Sequence, residues 1–169
     1  MFSSALVEED NYDMLVMGRS QGPGCYCYIN GILKSQIDKY KNRYRYIVVD
    51  NEAGLEHISR GILPHVDILL LISDASRRGV QAAHRIALMV DELGLKPGVL
   101  KLIVNKAPGG VPDPGVLSEI ERLGLDLIGV VPMDEEVYLY DANGKPSATV
   151  SEDSPVKQAV RDILKKLGL

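Results

Sequence analysis

The chain has 169 residues, 46% hydrophobic and 25% charged, with a formal net charge of −4. That length suits one domain with its own core. The acidic balance argues against a nucleic-acid binder, whose affinity rests on a basic face. No apolar run reaches the length of a membrane span, since the longest candidate, residues 66–72, is interrupted by Asp67. Residues 1–11 lack the basic and apolar regions of a signal peptide, so a cytoplasmic protein without membrane or nucleic-acid partners is expected.

Along the chain, short apolar runs alternate with amphipathic stretches, the pattern of parallel βα units. Residues 12–17 read as a strand ending at Gly18, and residues 26–40 as a helix with Ile29, Ile32, Leu33 and Ile37 at helical spacing. Residues 46–49 read as a second strand, ending at Asp50, followed by a short helix over 55–62. Residues 67–73 are a third strand, apolar on both faces as parallel sheets require. Ser76 is the expected N-cap of a helix through Leu93, with Gly94 as its stop. A fourth strand covers 99–104, and Asp113-Pro114 opens a helix that Gly124 closes. A fifth strand covers 125–131, then a helix 134–140, and Asn143-Gly144 marks a turn. Ser154-Pro155 opens a terminal helix whose apolar stripe (Val156, Ala159, Val160, Ile163, Leu164, Leu167) is expected to dock on the sheet. The expected architecture is a single α/β domain over 1–169, a mainly parallel sheet flanked by helices.

In open α/β sheets, ligands bind beyond the carboxyl ends of the strands. Here those ends are residues 18–27, 50–54, 73–79, 105–110 and 132–136, all polar or glycine-rich. A hydrophobic strand ending in Asp50 can hold a magnesium-bound water, and Gly54 can let the backbone swing toward a phosphate. Aspartate at that place is equally a helix cap. Asn105, before Lys106, can read a purine edge through its amide or close its own turn. Pro132, ahead of Asp134, can wall a base pocket or end a strand.

Gly24-Cys25-Tyr26-Cys27 is the sharpest local feature. Two thiolates this close can reach one soft metal ion, and a symmetric dimer would bring four together. Helix-start amides behind Gly22-Pro23-Gly24 would favour the thiolate. The alternative is that two small cysteines simply pack. His57, His65 and His84 have no second ligand at metal-binding spacing and read as solvated or packed. Arg77-Arg78 can attract phosphate but reads better as a solvated loop.

Taken together, residues 17–28, Val48-Val-Asp50-Asn-Glu-Ala-Gly54, residues 73–79 and Val104-Asn105-Lys106 resemble the maturation ATPases of carbon-monoxide dehydrogenase. That nickel-insertion accessory family is related to the nitrogenase iron protein and to the cell-division and partition ATPases. The resemblance implies a P-loop NTPase-like fold, with Asp50 on the magnesium side and Gly54 as switch pivot. Asn105 would read adenine, with Lys106, Pro132 and Asp134 beside it. Cys25 and Cys27 would bind nickel or zinc across a homodimer, with carbon-monoxide dehydrogenase as client. The departure is that no Gly-Lys-Ser/Thr phosphate-binding segment occurs, and Gly144-Lys145 is followed by Pro146. The expectation is therefore the C-terminal part of a longer family fold with an incomplete ATP site. A split ATPase completed by a loop-bearing chain and a non-catalytic scaffold are the alternatives.

Overall fold

The computed structural model describes residues 6–16, 34–35, 37–40, 42–51 and 65–169. Cys25, Cys27 and Gly54 lie outside the described residues, as do His57 and the helix expected over 55–62. The chain divides into two compact units, residues 1–63 and 64–169.

In the first unit, β1 (Leu6–Glu8) and β2 (Asp13–Leu15) pair antiparallel, Val7 opposite Met14. The sequence suggested a parallel strand over 12–17, but the polar turn of Glu9, Asp10 and Asn11 folds the chain back on itself, and Glu9 N–H donates to Tyr12 O at 3.0 Å. Tyr44 donates its hydroxyl to Asp13, and its ring meets Tyr40 edge-on at 6.2 Å. Residues 34–35 and 37–40 are helical, within the helix expected over 26–40. The strand expected at 46–49 is not formed: these residues have no ladder partner among the described residues, and Val48 is 91% exposed. Apolar β-branched residues favour a strand only when a neighbouring strand takes their backbone hydrogen bonds.

The second unit carries the parallel sheet. Its strands are β3 (Ile68–Asp74), β4 (Val99–Ala107) and β5 (Leu127–Pro132), in that order across the sheet. Ile68 opposes Val99 and Leu102 opposes Leu127, both pairs parallel. Four helices complete the unit: α1 (Arg77–Glu92), α2 (Pro114–Arg122), α3 (Glu135–Ala142) and α4 (Pro155–Lys166). Alternation along β4 serves two cores. Leu102 and Val104 pack with Leu71, with Val80 and Ala83 of α1, and with Val116 and Ile120 of α2. Ile103 packs with Val131 and with Ile163 of α4. Each such buried Leu, Val or Ile side chain contributes roughly 1.5–3 kcal/mol relative to exposure.

The helix boundaries follow the cap residues. Ser76 Oγ accepts from Gly79 N–H at 3.0 Å, and Asp113 Oδ1 accepts from Gly115 N–H at 2.8 Å. Gly94 and Gly124 take φ of 68° and 65° just past the C-caps of α1 and α2, a conformation that glycine adopts without strain. On the other face, α4 approaches β5 so closely that a Cβ on Gly129 would collide with Ile163. Val156, Ala159, Ile163 and Leu167 of the expected stripe dock on the sheet, whereas Val160 and Leu164 are exposed. Among the described residues no helix is long and apolar enough to cross a membrane.

Candidate functional site

The parallel register brings three strand ends of the second unit to one rim. Asp74 pairs with Asn105 across β3 and β4, and Ala107 pairs with Pro132 across β4 and β5. A register shift between Val104 and Ala107 lets the end of β4 turn toward β5. Met133 N–H then donates to Ala107 O at 2.9 Å, which ties the turn after β5 to the end of β4.

At the first strand end, Asp74 Oδ1 accepts from Ser76 N–H at 3.1 Å and from Ser76 Oγ at 2.6 Å. The buried Ser73 hydroxyl donates to Asp74 O at 2.7 Å. Gly79 must be glycine here, because a Cβ would collide with the Asp74 carboxylate and approach Ser73 Oγ to 2.8 Å. The start of α1 is therefore packed directly on this turn.

At the second strand end, Asn105 Oδ1 accepts from Lys106 N–H at 2.9 Å. The amide closes its own turn through its oxygen. Among the described residues no group takes its nitrogen, which can donate to an acceptor on a ligand. Lys106 has a φ of 56°, the only non-glycine described residue in the left-handed region. That conformation costs roughly 1–2 kcal/mol for a residue with a Cβ, and the Asn105 bond offsets part of it. Lys106 is exposed, and its ammonium is open to an anion.

At the third end, Pro132 is half-buried and Met133 is 63% exposed. Val111, past the 3-10 turn Pro108–Gly110, is likewise exposed. These apolar surfaces beside the Asn105 turn could face a flat heterocycle. Asp134 has partners within the chain. Its Oδ1 accepts from Glu136 N–H at 2.8 Å and Val137 N–H at 3.4 Å, and its Oδ2 from Ser154 Oγ at 2.7 Å. These bonds, that of Ser154 foremost, hold its carboxyl below the usual range although partial burial opposes the shift.

One buried carboxylate was not anticipated. Glu119 on α2 is 2% exposed and receives Arg122 through two bonds, Nε to Oε2 at 3.0 Å and Nη2 to Oε1 at 2.7 Å. Gln81 Nε2 donates to it at 2.7 Å and Arg77 Nη2 at 3.1 Å. Arg122 above all, then Gln81, pushes its carboxyl far below the usual range. Arg77 thus braces α1 on α2, whereas the sequence suggested a solvated loop. Only the pairing partner, 42 residues away, identifies this role.

Asp50 belongs to the first unit and is exposed, in a segment that pairs with no strand among the described residues. His65 is exposed beside Asp67 at 3.2 Å, and His84 lies half-buried on α1. Among the described residues no three His, Cys, Asp or Glu side chains gather as a metal-binding group.

No protein-family profile matches the sequence. An uncharacterised ATP-binding protein of Methanocaldococcus jannaschii is 40% identical over 164 residues, which covers 96% of this chain and 64% of the relative. The carbon monoxide dehydrogenase accessory protein CooC of Rhodospirillum rubrum is 28% identical over 141 residues, 82% of this chain and 52% of CooC. The chain thus spans 52% to 64% of the length of these two curated relatives. Among solved structures, the MinD cell division protein of Aquifex aeolicus superposes with a TM-score of 0.71 at 20% identity, over 99% of this chain and 70% of MinD. MinD of Pyrococcus horikoshii, complexed with Mg-ADP, superposes with a TM-score of 0.71 at 17% identity, over 99% of this chain and 68% of that one. Identities this low speak to the fold alone. The chain has the helix-flanked, parallel-sheet fold of the MinD/ParA P-loop NTPases, and its homologues are ATP-binding proteins.

Proposed function

We propose that this chain is the nucleotide-base and metal-handling part of an ATP-binding accessory protein for nickel-enzyme maturation, with carbon-monoxide dehydrogenase as client. The observation that carries the nucleotide half is the rim of the second unit. There Asn105, Lys106 and Pro132 lie on neighbouring strand ends, in a fold whose relatives bear the name ATP-binding. The Asn105 amide nitrogen donates to a ring nitrogen of adenine, and Pro132 and Met133 offer the base an apolar surface. Lys106 supplies positive charge for the phosphates. Asp50 acts on the magnesium side and Gly54 as the pivot, once a phosphate-binding loop supplied by further polypeptide completes the site. Hydrolysis belongs to that completed assembly.

The metal half rests on Cys25 and Cys27 and on the distant likeness to CooC. Nickel or zinc is cargo in this reading, held as thiolate complexes by both cysteines of two subunits. Two measurements test the halves separately. Equilibrium dialysis with ATP should detect binding that Asn105→Ala weakens by about tenfold, the loss of one directed hydrogen bond. Absence of ATP binding by both the chain and the chain joined to a phosphate-binding loop rejects the nucleotide half. Sedimentation with nickel or zinc chloride should give a metal-dependent dimer that Cys25→Ala/Cys27→Ala abolishes. A monomer at saturating metal rejects the cysteine site and leaves the scaffold reading.

A further inference from the structure

Asp134 and Ser154 sit at the starts of two different helices. Ser154 occupies the N-cap position of α4, yet its hydroxyl makes no cap bond to its own helix. It donates instead to Asp134 Oδ2 at 2.7 Å. The Asp134 carboxylate caps α3 directly, accepting from Glu136 and Val137 N–H, and meets the start of α4 through the Ser154 hydroxyl. The start of α3 thus donates to the carboxylate through its backbone and the start of α4 through the Ser154 hydroxyl, an arrangement that favours the anion. A parallel clamp lies next to it, where Glu136 accepts from Ser151 N–H and Ser151 Oγ, both at 3.0 Å.

The polar clamps matter because α3 has no apolar anchor. None of its residues is buried, and Tyr138 and Leu139 are 68% and 50% exposed. By contrast α4 is anchored through Ile163. The turn that joins β5 to α3 carries Pro132 and Met133, the proposed base-facing surface. Its β5 side is tied to β4 by the Met133 N–H bond to Ala107 O, and its other side depends on what holds the start of α3, where Ser154, 1% exposed, is bolted to the sheet through α4.

We propose that the Asp134–Ser154 pair is the positioning device of the nucleotide rim, fixing the Pro132–Met133 turn from behind without touching the ligand. The inference rests on the nucleotide reading of that rim for its purpose, but its mechanical content can be measured without nucleotide. Asp134 is in this account a positioning residue, its oxygens already committed, and Ser154 is the group through which α4 sets the rim.

The test compares the 169-residue chain with Ser154→Ala and Ser154→Cys, the second retaining a weak donor of similar size. Amide hydrogen exchange is followed at Met133, Glu136 and Val137, with Leu102 and Ile103 of β4 as internal references. In Ser154→Ala, exchange at the three rim amides should rise about tenfold while the β4 amides stay within about twofold. The Asp134 carboxyl, titrated by carbon-13 NMR, should move up toward the ordinary range. If the wild type binds ATP, Ser154→Ala should weaken it about fivefold, well below its melting temperature, and Ser154→Cys should recover most of that loss. Equal acceleration of rim and β4 amides would mean general destabilisation and would overturn the proposal. So would unchanged rim exchange, or unchanged ATP affinity in a variant whose rim exchange has risen. A wild type that fails to bind ATP in every form removes the nucleotide role of the rim, and with it the purpose proposed here, while a rim-only exchange effect would then stand as a purely mechanical result.

Discussion

Helices α3 and α4 both follow β5 in the chain, and they are held by different physics. Ile163 of α4 sits over Gly129 in a space that admits no Cβ, and it is buried with Ile103 and Val131. Helix α3 buries none of its residues and begins on a carboxylate shared with the start of α4. One helix is fixed by volume and the other by hydrogen-bond geometry. Volume resists displacement through many small contacts, whereas a polar clamp is directional and fails when one partner goes. That contrast suits the two helices to different tasks, support for α4 and the setting of a ligand-facing turn for the start of α3.

The contrast can be broken from the volume side first. Ile163→Ala should destabilise the second unit by about 2–5 kcal/mol, read as a lower urea midpoint, because the cavity lies between α4 and the sheet. Gly129→Ala attacks the same contact from the strand and should destabilise by about 1–3 kcal/mol through overpacking. A neutral result for Gly129→Ala would mean that α4 can shift on the sheet, and the distinction between the two helices would weaken.

Acid probes the directional side. Hydrogen-bond donors depress the Glu119 and Asp134 carboxyls below their ordinary values. Groups depressed in the folded state contribute stability above their unfolded pKa, about 4, and lose it as pH falls toward the folded value. The urea midpoint should therefore drop as pH falls below about 4.5. The gap between wild type and Glu119→Gln should be largest at neutral pH and should narrow in acid. A gap constant with pH would mean that the Glu119 charge contributes nothing. The smallest expected effect sharpens the comparison: Leu139→Ala on the exposed face of α3 should change stability by less than about 0.5 kcal/mol.

Much of the second unit was legible in the sequence. The expected strand over 67–73 and helix start at Ser76 agree with β3 and α1 to within a residue or so. Cap residues and apolar spacing carry that information locally. The first unit was less legible. Residues 46–49 have strand composition and no strand, because pairing depends on a neighbour that composition does not supply. The hairpin of β1 and β2 escaped notice, since three-residue strands carry too little pattern. At the rim, Asn105 and Lys106 lie near the end of β4, Pro132 ends β5, and Asp134 caps the helix that follows. What each side chain does there was not readable. Asn105 spends its oxygen on Lys106, and Asp134 spends both oxygens on backbone and on Ser154.

By itself, then, the order of apolar runs, caps and glycines determined a parallel α/β chain and the strand ends at which to look for a ligand. These signals act over a few residues and survive without knowledge of neighbours. Only the tertiary structure decided that Glu119 would be a buried brace, that Ser154 would serve Asp134 instead of its own helix, and that α3 would hang on polar bonds. Each of those outcomes depends on the distance between groups 15 or more residues apart, such as Ser151 and Glu136 or Ser154 and Asp134, and such distances are set by packing.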